Sequence, residues 1–139
     1  MIQRQQSLWL LLSAICAFFS FKFPFYNGTK LQDNVVIPAE VYAGSTFFLV
    51  VLTAISLILA VVTIFLFKDR KLQLRLCFAG IIISAITLIF YFTEIKTLQQ
   101  GGSFTLWCLF AFAVVIGFIM AARGIWKDKK LVKSLDKLR

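Results

Sequence analysis

The sequence predicts an all-α membrane protein, a four-transmembrane-helix antiparallel bundle with a C-terminal amphipathic cytoplasmic helix. Three observations predict it. The 139 residues are 60% hydrophobic and only 15% charged, against roughly 45–50% apolar and about 25% charged in soluble domains. Mean hydropathy is +0.90. The charges gather between four long apolar runs instead of spreading around helix surfaces, which is the membrane pattern. A chain of this length is expected to be a single domain, 1–139.

The runs are 8–23, 46–67, 76–93 and 104–122. Each is near the ~20 residues that a helix rising ~1.5 Å per residue needs to cross ~30 Å of hydrocarbon. The first is the shortest and is interrupted near its end by Lys22, whose ammonium can reach the interface while its stem stays in lipid. Buried helices of a soluble protein are the rival explanation. That explanation requires polar helices to surround the apolar ones, and none are left over in so short a chain.

Orientation follows from the positive-inside bias. Four spans put the N-terminus, the 68–75 connection and the 123–139 tail on one side. Arg4, Lys68, Arg70, Lys71, Arg75 and seven Lys/Arg of the tail make twelve basic residues there, against Asp69, Asp128 and Asp136. The other side holds Lys22, Lys30 and Lys96 against Asp33, Glu40 and Glu94, which cancel. Both termini are therefore expected in the cytoplasm. The net charge of +9 is read as a topological signal and not as a nucleic-acid surface, because Trp126 is the only stacking aromatic near the basic tracts. The first run lacks a small-x-small cleavage site and is expected to be retained.

The outer loop 24–45 contains Asn27-Gly28, a turn signal, and Pro38, which excludes a helix through its middle. Val35-Val36-Ile37 fits a short strand or a segment lying on the outer interface. Asn27-Gly28-Thr29 matches a glycosylation acceptor, a pattern too common to carry weight. The loop is too short for a domain and suits a lid or docking surface. The connection 68–71 is short enough to make spans two and three antiparallel neighbours. Gly101-Gly102 provides a flexible break before the fourth span. In the tail, Leu131, Val132, Leu135 and Leu138 have the spacing of one helix face. Trp126, Lys129, Lys130, Lys133 and Lys137 are the expected anchors to anionic headgroups at the cytoplasmic leaflet; docking against a partner protein, or a solvated tail whose charges only orient the chain, are the alternatives.

The chain has no histidine, so it lacks the commonest general acid/base and metal ligand. No Asp or Glu lies within a span, where an ionisable group would mark a functional site. No catalytic residue, metal or cofactor is expected, and the protein is not expected to be an enzyme. Cys16, Cys77 and Cys108 fall at different depths and are expected to be free, packed as small apolar residues. Ser13 and Ala17, Ser56 and Ala60, Gly80 and Ser84, and the repeat Ala113, Gly117, Ala121 are each four apart. Such small faces permit close helix packing or oligomerisation. The sixteen phenylalanines suit lipid contact.

Three stretches taken together resemble a known family. They are Met1-Ile2-Gln3-Arg4, the connection Lys68-Asp69-Arg70-Lys71-Leu72-Gln73-Leu74-Arg75-Leu76-Cys77, and the tail from Trp126 to Arg139. The chain resembles an uncharacterised family of short bacterial inner-membrane proteins with four predicted spans, catalogued as a domain of unknown function. The resemblance implies a bacterial cytoplasmic membrane and no assigned activity. It singles out Gln3, Arg4, Arg70, Lys71, Gln73, Arg75, Asp136 and Arg139 as a candidate cytoplasmic cluster.

The expected function is that of a non-enzymatic accessory subunit or scaffold binding lipid, itself or another membrane protein. The alternative is a small oligomeric transporter or channel, with Ser56, Thr63, Ser84 and Thr87 lining the path. A water-filled route past those hydroxyls would favour the alternative.

Overall fold

A computed structural model describes residues 2–98 and 101–138, with side chains from Gln5 onward. Among the described residues the protein is mostly helical, with four helices: α1 (Ile2–Ser20), α2 (Phe47–Phe65), α3 (Arg70–Lys96) and α4 (Cys108–Lys137). Three strands join them: β1 (Tyr26–Gln32), β2 (Val35–Val41) and β3 (Ser103–Phe104). The all-α expectation is corrected by this small sheet.

Helices α2, α3 and α4 are long and apolar enough to cross a membrane, and the apolar part of α1, Gln5–Ser20, is shorter. Helix α1 stops at Ser20, before Lys22, instead of reaching residue 23. Three features end it there. The residue before Pro24 is disfavoured in the α region. The Ser20 hydroxyl donates back to the Cys16 carbonyl at 2.9 Å. The Ser20 carbonyl, which lacks an intrahelical partner at a helix end, accepts from the Ala43 amide at 3.2 Å.

The other boundaries also move, each for a physical reason. Residues 70–75 belong to α3, because Lys, Arg, Leu and Gln are good helix formers that need no apolar environment. The link between α2 and α3 is therefore only 66–69. Helix α4 begins at Cys108 instead of 104, because Ser103 and Phe104 pair with Asn27 and Tyr26 as strand β3. At its other end α4 runs unbroken to Lys137, so the basic tail is the end of the same helix and not a separate one.

The outer loop is a β-hairpin. Strands β1 and β2 pair antiparallel from Tyr26↔Val41 to Gln32↔Val35, leaving a two-residue turn. Asp33 and Asn34 occupy it with φ of 51° and 62°, the left-handed pair of a type I′ turn. The turn expected at Asn27-Gly28 is thus corrected: both residues lie in β1. A Cβ at position 28 would sit 3.1 Å from Leu98 and from the Tyr26 ring. Glycine is used there for close approach, while Asp and Asn supply the turn. Pro38 is tolerated because β2 is an edge strand in the order β2-β1-β3.

Each helix packs against two others: α1 and α3 both contact α2 and α4. The contacts run in opposite senses along neighbouring helices. Position 117 approaches Ser13 and position 124 approaches Gln6, while Phe23 stacks on Trp107 with centroids 4.2 Å apart. On the far side, position 80 lies against the Phe118 ring. Gln73 of α3 bonds Thr63 of α2, and Phe48 stacks on Phe90. One cluster, around Leu10, Ala17, Ala60, Phe118 and Ile125, fills the space between helices. A second, with Phe25, Tyr26, Val41, Leu49 and Tyr91, seats the sheet on the helix ends. Phe25 and Tyr91 stack there with centroids 4.5 Å apart.

Candidate functional site

The buried stripes of α2 and α3 carry small and hydroxylated residues. On α2 they are Leu49, Thr53, Ser56, Ala60 and Thr63; on α3 they are Gln73, Cys77, Gly80, Ser84, Thr87 and Tyr91. Large side chains such as Phe47, Ile58, Phe65, Phe78, Ile82 and Ile89 are exposed. That distribution suits lipid, which gives helices no hydrophobic reason to hide their apolar faces and leaves close packing as the driving force.

Of the small residues singled out for packing, Ser13, Ala17, Ser56, Ala60, Gly80, Ser84, Gly117 and Ala121 are buried, and Ala113 is half-buried. Ser13 joins two helices, its hydroxyl donating to the Val114 carbonyl at 3.2 Å. Most other hydroxyls bond within their own helix. Ser56 donates to Thr53 and Ser84 to Ile81, while Thr63 reaches Leu59 and Thr87 reaches Ile83. Ser20, Thr53, Ser56, Ser84, Thr87 and Tyr91 surround a hollow of about 20 Å³. That is close to the space one water molecule occupies. Cys16 and Cys77 are buried, Cys108 is half-buried, and all three are free.

The end remote from the sheet is built differently. Gln73 is buried there. Its Nε2 donates to the Thr63 carbonyl at 3.2 Å, one of the last-turn carbonyls that α2 cannot satisfy itself. Four other members of the expected cluster have described side chains. Lys71, Arg75 and Asp136 are exposed and Arg70 is half-buried. Leu74 and Trp126 line one groove, which sets the register of α3 against α4. Asp136 then lies roughly 15 Å further along α4 than Trp126, counting ~1.5 Å per residue. The side chains of Gln3 and Arg4, and Arg139, lie outside the described residues.

The final turns of α4 extend past the starts of α1 and α3, and everything from Lys129 to Leu138 is exposed. The sides of this extension differ. Gly117, Gly124, Leu131 and Leu138 are spaced seven apart and lie along one line of the helix. Gly117 and Gly124 meet α1 at Ser13 and Gln6. Beyond the end of α1 the same line carries leucines, with Leu131 44% and Leu138 84% exposed. By helix geometry Lys129 and Lys133 fall on the opposite face and Lys137 on the flank, and Trp126 is 65% exposed.

Sequence reasoning missed a third feature. Arg123, Lys127 and Lys130 stand at i, i+4 and i+7, one above another on the outer side of α4. They border a groove of about 510 Å³ that also touches Gln5, Gln6 and Trp9 of α1. The spacing was present in the sequence, but the wall supplied by α1 was not.

The fold and these surfaces define a small helical protein, three of whose helices are long and apolar enough to cross a membrane, with a basic end opposite a β-capped one. The chain belongs to the family described as Domain of unknown function (DUF4293), whose model matches residues 2–138. No curated protein and no solved structure matches the chain.

Proposed function

We propose that this chain is a four-span protein of the bacterial cytoplasmic membrane, an antiparallel bundle with both termini in the cytoplasm. Its role is that of a non-enzymatic accessory subunit or scaffold that docks a membrane-protein partner, or a second copy of itself, through the end of α4. The observation that carries this reading is the heptad line Gly117, Gly124, Leu131, Leu138. Where α1 is present the line is glycine and covered; where α1 has ended it is leucine and exposed. A helix face of that kind is recognised by another helix laid along it.

Insertion places the twelve basic residues of the termini, the α2–α3 link and the start of α3 at the cytoplasmic leaflet. Lys129 and Lys133, on the face opposite the leucines, and Lys137 on the flank then attract anionic headgroups. The rival reading, a small oligomeric transporter, needs a path past Ser56, Ser84 and Thr87. The hollow beside them, at about 20 Å³, has no room for a solute.

Photo-crosslinkers at Leu131 and Leu135, used in native membranes with mass spectrometry of the products, test the reading. One reproducible protein adduct, or an adduct between two copies, is the expected result. Adducts no more specific than those from lipid-facing Ile89, together with solute flux in proteoliposomes, would overturn it.

A further inference from the structure

The outer side of α4 carries a second kind of surface, on the flank beside the leucine line, with Gly124 at their common edge. Three hollows adjoin one another there, two of them meeting at Arg123 and Trp126. The first, about 510 Å³, lies between α1 and α4 and is bordered by Arg123, Lys127 and Lys130. It shares Gln5, Trp9 and Met120 with a second hollow of about 600 Å³ that continues along Leu8 and Leu12. The third, about 330 Å³, lies between α3 and α4, where Leu74, Phe78, Ile81 and Ile119 line it, and it shares Arg123 and Trp126 with the first. The hollows are within the roughly 300–1,000 Å³ range of small-molecule sites.

Their chemistry is graded along α4. Lys127 and Lys130 stand nearest the basic end with Arg123 one turn further in, and among the described residues no carboxylate lines any of the three hollows. Trp126 lies between Arg123 and Lys127, and Trp9 of α1 borders the same hollow; indoles favour the boundary between headgroups and hydrocarbon. Beyond them both grooves are aliphatic and aromatic only. Gln6 adds an independent sign of an oxygen-rich ligand. It borders the first hollow and is 97% buried, being 3% exposed. Its Nε2 has no hydrogen-bond partner among the described residues, a costly condition for a buried donor unless something accepts from it. Gly124 leaves the space that Gln6 fills, since a Cβ there would lie 2.8 Å from the Gln6 Cγ.

We propose that this surface is a selective site for one diacyl anionic phospholipid of the cytoplasmic leaflet. The phosphate sits on the Arg123–Lys127–Lys130 ladder, held by charge-assisted hydrogen bonds. The Gln6 amide donates to an oxygen of the glycerol or headgroup region. One acyl chain lies along Leu8, Leu12 and Met120, the other along Phe78, Ile81 and Ile119, with α4 between them. The proposal rests on the membrane insertion argued above, but not on the docking role of the leucine line.

Native mass spectrometry of the full chain, extracted from nanodiscs of equal phosphatidylglycerol and phosphatidylcholine, tests it. The wild-type chain should retain one phosphatidylglycerol in preference to phosphatidylcholine. The triple variant Arg123→Gln, Lys127→Gln, Lys130→Gln should lose that adduct about tenfold or more, the change that ~1.4 kcal/mol produces. The variant Lys22→Gln, Lys30→Gln, Lys96→Gln removes the same charge from exposed positions at the opposite end and should keep it. Equal loss in both variants, or equal retention of the two lipids by the wild type, overturns the site and leaves the leucine-line crosslinking result standing. Displacement of the adduct by inorganic phosphate would identify a free-anion site instead and also overturn the proposal. If the first triple variant does not fold, Gln6→Leu with wild-type controls decides, since it should weaken selectivity for phosphatidylglycerol while leaving all charges in place.

Discussion

Gly117 sets the distance between α1 and α4. A Cβ there would fall 1.9 Å from the Ser13 Oγ and 2.9 Å from the Trp9 carbonyl oxygen. The first atom can rotate away, at the loss of its bond to Val114; the second is backbone and moves only with the helix. Gly117→Ala should therefore destabilise the fold by about 1–3 kcal/mol, the usual cost of overpacking. Reversible unfolding in mixed micelles measures this, and an unchanged midpoint would count against the close α1–α4 contact. Gln73 acts through a hydrogen bond instead of through shape. Gln73→Leu leaves the Thr63 carbonyl buried and unpaired and should cost about 1–3 kcal/mol. Gln73→Glu, which offers no amide donor when ionised, should be at least as costly in the same assay. The sequence showed small residues four apart on each span, and most of them are buried. It did not show Gln73 as a cap for a different helix, because a contact between positions 63 and 73 depends on how tightly the 66–69 link folds back.

At the scale of elements, the hairpin is the part most weakly announced by the sequence. Asn27-Gly28 is the stronger local turn signal, yet the turn falls at Asp33-Asn34. The register decides this: pairing Tyr26 with Val41 places both ends of the hairpin on the aromatic cluster of Phe25, Tyr26 and Tyr91. Thr105 ties the base of the hairpin to the entry of α4, its hydroxyl donating to the carbonyls of Pro24 and Phe25. Asn34→Val forces a β-branched residue into the left-handed region and should cost roughly 1–2 kcal/mol. The expected outcome is faster proteolysis within 24–45 with the helical circular dichroism retained. Equal proteolysis of variant and wild type would argue against the type I′ turn. The tail shows the converse. Its apolar spacing was legible, but whether it formed a separate element depended on the absence of a break after Ala122, and Arg123-Gly124-Ile125 continues the helix because Gly124 is packed against Gln6.

For the whole molecule, orientation is the property with the clearest test. Cysteines introduced by Lys30→Cys and Lys137→Cys lie on opposite sides of the proposed membrane. The first should react with an impermeant maleimide in intact cells, and the second only after permeabilisation. The native Cys16 and Cys77 are buried and should add little background. Reversed labelling, or equal labelling of both sites, would overturn the four-span topology with its termini inside. The closed interior makes a related prediction: proteoliposomes carrying the wild-type chain should show no solute flux above empty vesicles, because a hollow of about 20 Å³ offers no route.

The sequence by itself determined the apolar helices, their division by charged connections and the asymmetry of basic residues. These are properties of composition along the chain, and each run carries its own hydropathy wherever its neighbours lie. Only the tertiary structure decided the sheet, the helix ends and the surfaces. A strand needs a partner, as β3 needs β1. A helix end needs something to accept its last carbonyls, as α1 uses Ala43 and α2 uses Gln73. A groove needs two walls, and Arg123, Lys127 and Lys130 become the edge of a site only because α1 stands beside them. Each of these depends on contacts between residues far apart in the chain, which periodicity and charge counts do not record.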